Sequence, residues 1–527
     1  MKIIQSIRSL LLLFSLPVSV LAENLPVIVI TGTPLPTPVV KLAINTTVIT
    51  REHIERTQPH SVMKLLENQA GIYINHTGNF GSLSTVYLRG GDPNFTLVLI
   101  DGVKVNDPND SRGGTFDFAN LDINSIERIE ILRGPLSSIY GSDAISGVIN
   151  IISRHEESGS DVLISFGEDK SENLSLSTTK TYKGINLSIN ASQTKDSDIP
   201  EVNRFQRKQL GLSVVLNKTE DNNLRIHARR SEAEAESLPE DSGGTEFSVS
   251  PNLEKRDTQS SIFGFDFTQY FSEAIETHVE GQFYKNFQQV DTPNISPGTR
   301  DPFGLPASLA NNIFERKLLR LSSIYQTNKG TRFGVGIESL REKGNSDGQL
   351  DLGFLVKTDF VLDRNIHAVF ADLEYSLTDT LSAQLGLRKD HVDQSSLQDS
   401  SVSVWSPRIG LVYNLSKFST RLKFNWAEGF KLPSFYALGN PLVGNPLLKS
   451  ETSNSYEMGL EQSFGGNHFQ FQATIYRNNI NDLVDFDPGP PPLLVNRSEV
   501  VTRGIEFSVK WTDLLGSHLN VFIEYLE

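Results

Sequence analysis

From Asp161 onward, apolar and polar residues alternate with period two. Leu381, Ala383, Leu385 and Leu387 alternate with Ser382, Gln384, Gly386 and Arg388. Phe469, Phe471, Ala473 and Ile475 alternate with Gln470, Gln472 and Thr474, and Ile505, Phe507, Val509 and Trp511 with Glu506, Ser508 and Lys510. A strand turns successive side chains to opposite faces, so each segment predicts a strand with one apolar face. Segments of about ten residues of this kind fit a transmembrane barrel. Short turns are expected at Lys183-Gly184, Asn328-Lys329-Gly330, Ser416 and Gly465-Gly466-Asn467. Long polar loops are expected near 231–257, 288–312, 344–363 and 429–450. Short turns on one side and long loops on the other are the barrel arrangement. The competing reading, a soluble β-sandwich or solenoid, has shorter strands and no such regular alternation of loops. About seventeen strands precede Glu527, and the last, Leu519 to Tyr525, has no return partner. An unpaired edge in lipid is costly, so strands beyond residue 527 are expected: the chain reads as C-terminally truncated.

The region before the barrel has another texture. Ser61 can cap a helix whose stripe is Val62, Leu65 and Leu66, ended by Gly71. Strands are expected at Thr85 to Leu88, Leu97 to Ile100, Ile126 to Leu132 and Ile145 to Ile152. This mixture predicts a small α+β domain over 51–154, ahead of a barrel from 155 to 527. Between 23 and 50, a β-prone run, Val27-Ile28-Val29-Ile30-Thr31, is followed by Pro34, Pro36 and Pro38. The run is either an extended arm able to add a strand to another protein's sheet, or an ordinary first strand.

At the N-terminus, Lys2 and Arg8 precede a short apolar stretch, Leu10 to Val20, and Val20-Leu21-Ala22 reads as a cleavage site. Residues 1–22 are therefore expected to be a signal peptide, too short to span a bilayer. With 48 Lys+Arg against 63 Asp+Glu, the net charge of −15 argues against a nucleic-acid binder. The chain has no cysteine, which removes disulfides, thiolate metal sites and cysteine nucleophiles. No G-x-S-x-G, H-E-x-x-H or phosphate-cradling glycine loop is present, so no enzyme is expected.

Several blocks carry a family resemblance. Tyr87-Leu88-Arg89-Gly90, Leu97-Val98-Leu99-Ile100-Asp101-Gly102-Val103 and Ile126-Glu127-Arg128-Ile129-Glu130-Ile131-Leu132-Arg133-Gly134-Pro135 resemble the plug of TonB-dependent outer-membrane receptors. The stretch from Tyr140-Gly141-Ser142-Asp143-Ala144 through Ile152 continues that likeness. In the barrel, Ala427-Glu428-Gly429-Phe430-Lys431-Leu432-Pro433-Ser434 and Asn445-Pro446-Leu447-Leu448-Lys449-Ser450-Glu451-Thr452-Ser453 are similar to two further family segments. Lys449-Ser450 departs from the usual Lys-Pro.

The resemblance implies an α+β plug inside an antiparallel barrel of the 22-stranded type, a monomer in the outer membrane of a Gram-negative bacterium. It further implies active import of a scarce large nutrient, energised by the inner-membrane protein TonB, which grips Val27, Ile28, Val29, Ile30 and Thr31 by strand addition. Motifs and length look most similar to the cobalamin type, with a ferric siderophore or haem receptor as the alternative. A passive porin, or a surface adhesin or phage receptor, is the alternative of another class. Substrate contacts are expected at plug apices, at Thr85, Asp92, Asn94, Ser111 and Arg112. Plain turn chemistry explains the same residue types. Arg89 and Arg133 are expected to tie the plug to barrel carboxylates, because charges facing a lumen are paired. No cofactor is expected. Calcium would need six to eight oxygens, and Asp196, Asp198, Glu201, Glu240 and Asp241, or Asn345, Asp347 and Asp351, read better as solvated acidic loops.

Overall fold

The computed structural model describes residues 29–30, 37–38 and 41–527, apart from 77–80, 156–157, 168–170, 200–202, 220, 238–251, 296–303, 329, 396–399, 466–467, 498 and 515–516. The expected signal peptide, residues 1–22, therefore lies outside the described residues. So do Val27, Ile28 and Thr31. Val29–Ile30 pairs antiparallel with Thr37–Pro38.

The N-terminal domain is built on a five-stranded sheet. Its spatial order is Thr46–Thr50, Ile126–Arg133, Gly147–Ser153, Thr96–Ile100 and Val103–Lys104. Thr46–Thr50 belongs to this sheet, and Leu42 and Ile44 before it are buried. The domain thus begins earlier than the expected boundary at 51. The short polar and β-branched run Thr46-Thr47-Val48-Ile49-Thr50 has weak period-two contrast, and only its pairing with Ile126–Arg133 reveals it.

Every residue of Thr96–Ile100 is buried because both faces of the sheet are covered. Val98, Ile100, Ile129, Ile131, Ile149 and Ile151 face one core with Ile54, Leu65 and Leu66. Leu97, Leu99, Leu132 and Val148 face a second core with Leu136, Ile139 and Tyr140. The helix Val62–Leu66 starts where expected, with Ser61 Oγ accepting from Lys64 N at 3.2 Å, and Gly71 takes φ +75° after it. A helix over Arg51–Thr57, capped by Thr50, and a strand at Ile72–His76 were not expected from the sequence.

Among the described residues the second domain is one antiparallel sheet of eighteen strands from Gly159–Phe166 to Ser517–Leu526; neighbours in the sheet follow chain order, except that Phe469–Asn481 pairs with Val500–Leu514 across an intervening hairpin and Arg332–Asp351 pairs with both Leu355–Lys357 and Phe360–Ser376. Seventeen are the long strands expected; the eighteenth, Leu355–Lys357, is a three-residue return within a loop. Arg332–Asp351 alone spans 20 residues, about 65 Å of extended chain. Its alternation is plain: Phe333, Val335 and Ile337 are 44%, 42% and 56% exposed, while inward Glu338, Leu340 and Glu342 are buried. Apolar side chains outside and charged ones inside fit a barrel in lipid. No helix among the described residues is long and apolar enough to cross a membrane, which says nothing against crossing by strands. The first core runs on into the inner barrel wall through Ile262, Tyr284, Phe314, Phe360 and Leu362, so the α+β domain fills the lumen as a plug.

Candidate functional site

The strand Ser84–Leu88 ends in Arg89 and Gly90, at φ +52° and +71°. This left-handed turn sends the Arg89 guanidinium into the barrel wall. Nε and Nη2 donate to the two oxygens of Glu506 at 2.9 and 2.8 Å, and Nη1 donates to Glu457 at 2.5 Å. The group lies 4.2 Å from the centre of the Tyr476 ring. Asn45 completes the arrangement: its backbone N–H donates to Glu457 at 2.8 Å and its amide to Thr474 and Glu506, both at 3.0 Å. A forked, desolvated guanidinium between two carboxylates is among the strongest directional contacts available to side chains.

Arg133 behaves differently. It donates to Thr47 Oγ1 at 2.8 Å and to Ala70 O at 2.6 Å, both within the plug. Glu506 lies 3.9 Å from its Nε. Arg89 thus makes the direct tie to the barrel, and Arg133 supports the segment that carries it.

A second tie lies around the helix Ser137–Tyr140. Lys431 Nζ lies 2.9 Å from Asp143, and Leu432 N donates to Ser142 Oγ at 3.1 Å. Burial favours the neutral acid at Asp143, but Lys431 and then Arg316 outweigh it and hold the carboxyl down at about 2. Arg316 also donates to the carbonyls of Lys104 and Asn106 at 3.1 and 3.0 Å. Lys431 and Leu432 lie in the family-like segment 427–434, whose partners in the plug were not legible from sequence.

The expected apex residues are dispersed. Thr85 sits inside its strand opposite Asn75 and is buried, so it is not a surface contact. Strand pairing, invisible in one sequence, covers it. Asp92 is exposed. Asn94 is half-buried, and its Oδ1 has no hydrogen-bond partner among the described residues. Ser111 is exposed, while Arg112 is held to Asp110 at 3.5 Å. The loop carrying Ser111 and Arg112 is gripped by the barrel: Asn109 donates to Ile313 O at 2.9 Å, Tyr436 N to Pro108 O at 3.2 Å, and Asn286 to Asp107 at 2.8 Å. Burial pushes the Asp107 carboxyl up to about 6, partly offset by that Asn286 bond.

Above the apices, a hairpin of Leu483–Asp487 and Leu493–Arg497 was missed from sequence. It is fastened to the 432–450 loop by Leu494 N to Val443 O at 2.7 Å and Asn445 Nδ2 to Leu494 O at 2.9 Å. Asn445 lies in a segment singled out from sequence; its neighbour was not legible there. Among the described residues no three His, Asp or Glu side chains gather as a metal set. The side chain of Asp198, and Glu201, Glu240 and Asp241, lie outside the described residues.

The architecture is a β-barrel with an apolar outer face, filled by a plug that is salt-bridged to its wall. Residues 167–525 match the family model "TonB dependent receptor-like, beta-barrel", and residues 38–148 match the TonB-dependent receptor plug domain. The chain belongs to the TonB-dependent receptor family. Its curated relatives include the vitamin B12 transporter BtuB of Vibrio vulnificus, 27% identical over 91% of this chain and 74% of that protein. The BtuB of Photobacterium profundum is 25% identical over 95% of this chain and 78% of that one. Similar solved structures include P. aeruginosa FpvA bound to heterologous pyoverdines (13% identity, TM-score 0.78, 94% of this chain and 72% of that). The siderophore receptor PiuA of Acinetobacter baumannii is another (14%, TM-score 0.78, 96% and 82%). At these identities the structures establish the fold alone.

Proposed function

We propose that this protein sits in the outer membrane of a Gram-negative bacterium and imports a scarce, large nutrient, a cobalamin or related corrinoid, with energy delivered by TonB. The observation that carries this reading is the likeness to two vitamin B12 transporters across nine-tenths or more of the chain. The architecture supports the transport step. The plug obstructs the lumen, and Arg89 and Asn45 fasten it to Glu457, Thr474 and Glu506 through contacts that must be exchanged before a large solute passes. In our reading TonB adds a strand to residues 27–31 and pulls on a chain that leads directly into Asn45 and the strand Thr46–Thr50. Force on the arm therefore reaches the Arg89 cluster within about fifteen residues, at most roughly 50 Å of extended chain. The apex groups Asp92, Asn94 and Ser111 would receive the solute. Their hydrogen-bonding character suits an amide-rich ligand as well as an iron chelate, so they do not choose between the two.

The test is equilibrium binding to the purified protein by titration calorimetry, with cyanocobalamin and a panel of ferric siderophores. Saturable binding of cyanocobalamin alone supports the corrinoid reading. Binding of a ferric siderophore with no heat from cyanocobalamin overturns it and leaves the iron-chelate alternative.

A further inference from the structure

Lys431 and Glu451 stand at the ends of the two strands that flank the 432–450 loop, Thr420–Lys431 and Glu451–Phe464. The register sets them directly opposite each other, and both side chains are buried. Opposite residues on one sheet face have Cβ atoms about 5 Å apart, so a lysine reaches a facing carboxylate by side-chain rotation alone. Pairing across the strands would satisfy both charges within the wall. The structure shows another arrangement. Lys431 Nζ is turned to Asp143 of the plug at 2.9 Å, and Glu451 Oε1 accepts from Val484 N at 2.9 Å. The ammonium thus has two carboxylates within reach, one on the plug and one on the wall. Which of them it takes decides whether the second tie is closed.

Each carboxylate is held by a different part of the molecule. Asp143 follows the helix Ser137–Tyr140, whose start is fixed to the wall where Phe430 N donates to Ser137 Oγ at 3.1 Å. Glu451 is held by the hairpin. Leu483, beside Val484, packs on Ile480 together with Phe95 and Ile145 of the plug, and Phe95 directly follows the apex residues Asp92 and Asn94. The hairpin and the 432–450 loop also hold each other: Lys449 N donates to Asn496 Oδ1 at 2.8 Å, and Asn496 Nδ2 donates to Lys449 O at 3.1 Å. A body wedged between the apex and the hairpin therefore acts on the bond from Val484 to Glu451. Without that bond Glu451 is a buried carboxylate short of a donor, which is costly, and the cation facing it is Lys431. Asp143 can release Lys431 because Lys104 and Arg316 line the same cavity, of about 310 Å³.

We propose that Glu451 is a positioning residue for transport, competing with Asp143 for Lys431. A solute seated at the apex frees Glu451 from Val484, Lys431 crosses to the wall, and the second tie opens. The Arg89 tie is untouched by this exchange and remains for the pull on the arm. Occupancy on the extracellular side and force on the periplasmic side then act on separate ties. The proposal rests on the reading that solute seats at the plug apices, and not on which solute it is.

Hydrogen exchange of residues 137–146, read by mass spectrometry on the purified full chain in detergent without any solute, tests this. Val484→Pro removes the N–H that holds Glu451. A bond to a charged group shifts an opening equilibrium by about tenfold to a hundredfold, so exchange at 137–146 should accelerate by about tenfold or more while residues 42–50 stay within about twofold. Asn496→Ala loosens the hairpin without a proline and should act in the same direction, which covers the case in which V484P does not fold. Adding E451Q to either variant removes the carboxylate that receives Lys431. Protection should then return to within about threefold of wild type, a rescue that plain damage to the hairpin would not show. Exchange in V484P and N496A within about twofold of wild type overturns the proposal, as does a double variant that exchanges as fast as its parent. Saturating cyanocobalamin should accelerate the same residues in wild type and not in E451Q; equal acceleration in both also overturns it. Failure of cyanocobalamin to bind at all counts against the corrinoid reading alone, because the solute-free comparisons stand without it.

Discussion

Replacing Arg89 by alanine strips the plug of its forked contact with the wall. The guanidinium is buried and makes three short bonds to Glu457 and Glu506, whose side chains are also buried. Removing it leaves two desolvated carboxylates with the Asn45 bonds and, at Glu506, the more distant Arg133 at 3.9 Å. Breaking a buried pair from one side costs about 3–5 kcal/mol. If that cost falls on local opening of the plug, amide exchange across 42–50 and 126–133 accelerates by about a hundredfold to a few thousandfold. Hydrogen exchange followed by mass spectrometry in detergent reads this directly. Arg89→Lys should recover only part of the protection, since an ammonium cannot make the bidentate contact. E457Q/E506Q in the Arg89→Ala background should recover more, because the uncompensated charge is gone. Exchange in Arg89→Ala within threefold of wild type would refute the claim that this cluster holds the plug.

Three further outcomes follow from individual residues. The Asp107 carboxyl lies at about 6 in the folded plug against an ordinary 3.8, so the folded state holds its proton more tightly. Its contribution is present below about pH 4 and is lost as pH rises through about 6, up to roughly 3 kcal/mol; Asp107→Asn should flatten exchange of residues 103–115 measured from pH 4 to 8. Gly147 has φ +154°, and a Cβ there would lie 2.2 Å from Leu132 O and 2.5 Å from Leu88 Cδ2. Gly147→Ala should therefore destabilise the plug by about 3 kcal/mol or more, seen as a lowered midpoint of plug exchange protection in urea. Deleting residues 27–31 should leave solute binding within twofold and abolish uptake; unchanged uptake would favour a passive pore.

The barrel was readable because lipid imposes a strict demand. Outward residues such as Leu385, Leu387, Ile505 and Phe507 must be apolar while their neighbours turn inward, so strand number and phase follow from one sequence. The same phase places Glu506 in the lumen, and Glu457 between outward Tyr456 and Met458 carries the same signal. What could not be read was the pairing. Arg89 and Glu457 are 368 positions apart, and nothing local connects them. The helix Arg51–Thr57 was missed because its single buried residue, Ile54, makes no periodic stripe. Thr85 failed as an apex for a related reason: the family resemblance implied an apex at the residue that opens the strand expected over Thr85 to Leu88, and its partner strand Ile72–His76, which covers it, was not legible. The hairpin of Leu483–Asp487 and Leu493–Arg497 lies beneath a Pro-Gly-Pro-Pro-Pro tip that disguised its two short strands as loop.

The most direct measurement is accumulation of labelled cyanocobalamin by a bacterial strain that lacks its own corrinoid receptor, with this chain supplied in full and with residues 27–31 deleted. Accumulation by the full chain, abolished by the deletion and by loss of TonB, is the expected result. No accumulation of cyanocobalamin while a ferric siderophore is taken up would contradict the corrinoid assignment, and uptake of either solute that persists without TonB would contradict energised import itself.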